Sequence, residues 1–167
     1  MADSTPILPF KNFRFVVYFQ NNPSPILAVS KVSALKRTTE VVSHRDGGDN
    51  STPRHAPGSS KFEPITLERG VTLNREFEEW ANLVYDTNRL GATVSLADYK
   101  RDLTIEVRNV AGDPVLKYSV TRAWVSEYVA LPDLDANANA VMLEHVIVQN
   151  EGWHRDESFA DAGEQDQ

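Results

Sequence analysis

The chain has no cysteine, which removes disulfides, thiolate zinc sites and cysteine nucleophiles from consideration. It has no apolar run long enough to span a bilayer, and its opening MADSTPILPF lacks the charged start and apolar core of a secretory leader. These absences predict a chain made in the cytoplasm, without membrane insertion of its own. Positive charge is also scarce. Seventeen Lys and Arg face 24 Asp and Glu, for a formal net charge of −7, and no block of cations offers the clustered charge that a phosphate backbone requires. Solenoid repeats and low-complexity runs are missing too. So are the P-loop, the dinucleotide G-x-G-x-x-G, the G-x-S-x-G elbow and the H-E-x-x-H pair. The few histidines have no partner pattern, and the carboxylates read as helix-start or surface charges. No catalytic, metal-ligating or cofactor-binding residue is assigned, no cofactor is implied, and the chain reads as a non-enzyme.

What is present is a globular composition: 167 residues, 41% hydrophobic and 25% charged, enough for one domain with a core. FRFVVYFQ, from Phe13, alternates so that Phe13, Phe15, Val17 and Phe19 share a face, which predicts a strand. After the turn residues NNPSP, ILAVSKV from Ile26 reads as a second strand. TTEVVSH from Thr38 and FEPITLER from Phe62 read as a third and fourth, with Pro64 marking an edge or bulge. The period then changes. Between Asn74 and Asn88, residues Phe77, Trp80, Ala81 and Val84 recur at spacings of three and four, with Leu83 less strictly placed. This predicts an amphipathic helix capped by Asn74, with Glu76, Glu78 and Glu79 at its positive end. Phe77, Trp80 and Val84 should anchor it to a sheet. DLTIEVRN and PVLKYSVTRAW, joined by VAGD, read as a hairpin, and a last strand runs from Val141 to Gln149 with both faces largely apolar. The expected architecture is mainly β: an antiparallel barrel or sandwich of about seven strands with one flanking helix. The domain is placed at residues 1–153, with an acidic flexible tail at 154–167 in a closing stretch, GWHRDESFADAGEQDQ, that has little to bury from Gly152 onward.

The polar span HRDGGDNSTPRHAPGSSKF, His44 to Phe62, gives residues 44–61 the look of a long inter-strand loop. Gly47-Gly48 alone is a turn signal and not a phosphate cradle. His44, Asp46, Asp49 and His55 lack the rigid elements and spacing of a metal centre. Asp133, Asp135, Asn137 and Glu144 match four places of a calcium loop, but Ala138 stands where that loop needs glycine, which favours an Asx turn instead. The sequon at Asn50 matters only in a secreted chain. A structureless span of this length inside a compact domain is disordered or functional. Its stems read as paired strands, so the middle must project, as arms that join subunits do. Glycine at 47 and 48 is expected to supply positive φ there.

VSAL (Val32 to Leu35), RDGGDNSTPRHAPG (Arg45 to Gly58), ITLERGVT (Ile65 to Thr72), RAW (Arg122 to Trp124) and PDLDANANAVMLEHVIVQNEG resemble, in order, the tail tube protein of contractile phage tails and phage-like extracellular contractile injection systems. The resemblance runs from about Phe13 to Trp153. It implies a fold similar to the type VI secretion tube subunit: a small β-barrel with a flanking helix, six copies to a ring, and rings stacked into a hollow tube within a contractile sheath. It further implies that Arg45, Gly47, Gly48, Asp49, Asn50, Pro53 and Arg54 lie in the loop that joins subunits and successive rings. The implied partners are further copies, the sheath protein, baseplate or spike and tube-terminating proteins, and DNA or protein cargo. A tube initiator or baseplate adaptor of the same fold is the alternative, and from a different class, a monomeric β-sandwich ligand-binding module.

Overall fold

The computed structural model describes residues 14–27, 29–45, 47–48, 53–89, 99–137 and 141–157. In chain order they form β1 (Arg14–Phe19), β2 (Asn22–Leu27), β3 (Lys31–Val32), β4 (Arg37–His44), β5 (Arg54–Phe62), β6 (Ile65–Gly70), α1 (Glu76–Arg89), β7 (Arg101–Arg108), β8 (Pro114–Val129), β9 (Leu143–Gln149) and β10 (Gly152–Arg155). The fold is mainly β and antiparallel throughout. Its main sheet follows the order β2-β1-β7-β8-β9-β6-β3, with β10 also on β8, while β4 and β5 make a separate two-stranded sheet. Phe13, the segment 90–98 after the helix and the tail from residue 158 lie outside the described residues.

The long strand β8 organises the sheet. Its first part pairs with β7 and β10, and from Trp124 to Val129 it pairs with β9. The change of neighbours falls at Arg122, whose φ of 48° lies in the left-handed region, a conformation costing on the order of 1 kcal/mol for a residue with a Cβ. Local bonds hold it there: the Arg122 N–H donates to Asp102 Oδ1 at 2.7 Å, and its Nε lies 3.0 Å from Glu151 Oε2, while Lys100 pairs with Oε1 of the same carboxylate. The sheet turns about this corner. As a result Val17, Phe19, Leu103, Ile105 and Val120 from one half join Ile65, Leu67, Val146 and Val148 from the other in a single core.

Helix α1 closes that core. Asn74 Oδ1 accepts the Glu76 N–H at 2.8 Å, the expected cap, and three glutamates occupy the first turn. Phe77 and Trp80 are fully buried, and the Trp80 ring meets Phe19 edge-on at 5.1 Å. Val84 is only partly buried; Ala81 and Leu83 are the partly covered helix residues that touch the core. The β7–β8 turn is set by Asn109, which takes the Asp113 N–H on its side chain and gives its own N–H to the Asp113 carbonyl. Gly112 supplies the positive φ of 97°.

Three strand expectations are corrected. ILAVSKV is not one strand: its start ends β2 at one sheet edge, and Lys31–Val32 forms β3 at the other, paired with β6. FEPITLER does not pair with TTEVVSH. Phe62 ends β5, the chain breaks at Glu63-Pro64, and β6 lies between β3 and β9. The close is ordered further than expected: β10 pairs along β8 through Arg155, and the Asp156 N–H donates to the Lys117 carbonyl at 2.9 Å, because Trp153 has an apolar shelf to pack on.

Candidate assembly surface

Most of the polar span is strand. β5 pairs with β4 from Arg37 opposite Phe62 to His44 opposite Arg54, so the loop shrinks to residues 45–53 and the span becomes a hairpin arm. Strands of eight and nine residues make it roughly 25 Å long. Val42 is the one position of β4 that is even partly covered, and Ala56 and Phe62 are the two of β5. Polar cross-strand pairs hold the ribbon: Thr39 with Ser60 at 2.8 Å, Ser43 with His55 at 3.2 Å, and Ser59 donating to Glu40 at 3.2 Å. A bulge lies between Thr39 and Val41. Opposite it, a Cβ on Gly58 would come within 3.1 Å of Val42 Cγ2 and 3.2 Å of Glu40 Cβ, so this glycine serves the close approach of the two strands.

At the tip, Arg45 and the turn residues Gly47 and Gly48 are exposed, as are Pro53 and Arg54. Asp49 and Asn50 lie outside the described residues. Gly48 is not among the glycines with a positive φ, and a Cβ on Gly47 or Gly48 would meet nothing within 4 Å. The turn leaves open space at both, and the expected positive φ is missing at Gly48.

The root is a feature that sequence reasoning missed. The Glu63 N–H donates to the Lys36 carbonyl at 2.9 Å, and Asn150 Nδ2 donates to the Glu63 carbonyl at 3.1 Å. Phe62 meets Trp153 edge-on at 5.8 Å, and Trp153 meets Tyr118 at 6.0 Å. Gly152 faces the Phe62 ring, which a Cβ would touch at 3.4 Å. An aromatic stack from the arm through β10 to β8 thus sets how the hairpin leaves the body. Its signal was a tryptophan within an otherwise acidic close.

Below the opposite edge of the core, Arg69 is 1% exposed and Glu144 4%. Arg69 Nε donates to Glu144 Oε1 at 2.5 Å and Nη2 to the Asn74 carbonyl at 2.6 Å, with the guanidinium 4.2 Å from the Phe77 ring centroid. Tyr128 donates to Glu144 Oε2 at 3.2 Å. Burial, then the Glu144 charge and this bond, hold the Tyr128 hydroxyl above its ordinary value. The network ties β6, β8 and β9 to the helix start. It also removes Glu144 from any calcium loop, and the Asn137 N–H donates to Asp135 Oδ1 at 2.9 Å, an Asx turn.

The T4-like virus tail tube protein gp19 family matches residues 11–154. Among solved structures, a chain of the anti-feeding prophage baseplate is 26% identical, covering 92% of this chain and 97% of its own, with a TM-score of 0.68. A chain of the PVC extracellular contractile injection system sheath-tube complex, in its extended state, is 23% identical over 90% and 93%, at 0.71. A type six secretion system protein shares the fold at 9% identity, over 88% of each chain, at 0.50. No curated protein matches the sequence. The family match spans both halves of the sheet, the arm and α1 together, and the chain therefore belongs to the T4-like virus tail tube protein gp19 family.

Proposed function

We propose that this chain is the repeating subunit of the inner tube of a contractile tail or injection particle. Six copies close a ring, rings stack into a hollow conduit for DNA or protein cargo, and the sheath, baseplate or spike and tube-terminating proteins bind around and at its ends. The particle is built in the cytoplasm and stays there or is released. Arg45, Gly47, Gly48, Asp49, Asn50, Pro53 and Arg54 provide the tip contacts between copies. The observation that carries this reading is the arm. Two paired strands of 17 residues in all, with three partly covered positions among them, add almost nothing to the burial of their own fold, and a surface offered this far from the body suits a neighbour.

The test is to replace residues 40–59 with a short glycine turn. The variant is expected to stay folded and soluble, by circular dichroism and thermal unfolding, while tubes vanish from electron micrographs and sedimentation shows single chains. Tubes of normal appearance would exclude the arm from assembly. The likeness to a chain of a baseplate assembly favours one second reading, a tube initiator or adaptor; such a chain, purified alone, stops at one ring at every concentration.

A further inference from the structure

Nine large apolar residues are exposed among the described residues, and six of them, Val71, Leu73, Leu131, Leu134, Val141 and Met142, fall on the β6–α1 and β8–β9 loops. These loops are joined where the Val71 N–H donates to the Met142 carbonyl at 2.9 Å. Beside that junction lies a groove of about 600 Å³ lined by Leu134, Val141 and Met142, with Asp133 and Asp135 in its wall. Leu134 is 66% exposed and Val141 78%, so the groove presents open apolar side chains to a partner.

We infer that this groove receives the arm of a second copy, with Val41 entering between Leu134 and Val141 while the arm's cations meet Asp133 and Asp135. The inference rests on the tube-subunit reading and names the surface it left open. The complementarity is in both chemistries. Val41 is the arm's large exposed apolar residue, 66% open, and it pairs with Pro57 across the ribbon. Residues 37–62 carry Arg37, Arg45, Arg54 and Lys61 against Glu40, Asp46 and Asp49. The arm is thus net positive in a chain of net charge −7. Arg37 lies on the root side of Val41, and Arg45 and Arg54 at the tip, roughly 13 Å away at strand spacing, while both ionisable groups of the groove wall are carboxylates. Donor and acceptor are different surfaces of one chain, so the contact is head-to-tail and can repeat from copy to copy.

The absence of cysteine makes the test direct. Full-length Val41→Cys is mixed with Leu134→Cys or, as a control, with Val110→Cys, at an equally open site in the β7–β8 turn. The mixtures are assembled and then treated with a mild oxidant. The expected result is a disulfide-linked Val41–Leu134 pair at several-fold the yield of Val41–Val110, suppressed by high salt. Charge reversal adds a second readout: Asp133→Lys with Asp135→Lys abolishes assembly, and adding Arg45→Glu with Arg54→Glu in the same chain restores it. Tubes that form while Val41 links to both sites equally, or charge reversal without effect on assembly, overturn the inference and leave the tube reading standing. A wild-type chain that sediments as single copies at every concentration overturns both.

Discussion

At the scale of single residues, side chains in the core do different work from those at the surface. Trp80 is wholly enclosed and edge-on to Phe19, so Trp80→Ala is expected to lower stability by ~3–5 kcal/mol; urea unfolding that shows less than about 1 kcal/mol would place the ring outside the core. Tyr18 and Tyr128 act on the alkaline side. Burial chiefly raises each hydroxyl above its ordinary value of 10.0, helped by Glu106 and Glu144 respectively. The native state therefore holds these protons more tightly than the unfolded chain does. Their contribution is complete below about pH 10 and is lost as the pH rises through the raised native values. The urea midpoint should accordingly fall above pH 10, and less steeply in Tyr128→Phe than in the parent; parallel profiles would remove Tyr128 from that effect.

Among the elements, how much could be read in advance followed from what each strand buries. β1 has one closed face, so its alternation is written in the residues, and α1 was legible for the same reason at helical period. β5 has no closed face. RHAPGSSKF is a strand because its backbone pairs with β4, and hydrogen bonds to a partner leave no hydrophobic pattern in the sequence. The split of ILAVSKV between two sheet edges is likewise set by tertiary pairing. The projecting arm was legible from its polar stems, whereas its root was not, since Phe62, Asn150 and Trp153 meet only once β10 lies along β8. Within the arm, Gly58 is the sensitive point. Gly58→Val would drive its side chain into Val42 and Glu40, an overpacking worth about 1–3 kcal/mol. Faster amide exchange along β4, with an unchanged global unfolding midpoint, is the expected result. A lowered global midpoint would mean that the arm is part of the body's cooperative unit.

For the whole molecule, the division is between a body hung on β8 and an arm outside it, joined through the Phe62, Trp153 and Tyr118 rings. Trp153→Ala should leave the sheet paired, while fluorescence anisotropy from a dye at the arm tip reports wider motion and assemblies become irregular in width. A tip as restrained as in the parent would show that the backbone bonds at Glu63 suffice. The arrangement also works as a lever. Over roughly 25 Å, a tilt of about 5° at that aromatic fulcrum moves the far end by about 2 Å, more than the tolerance of a hydrogen bond. The curvature of anything built from many copies would consequently be decided at the shoulder of each one, well away from the proposed tip contact.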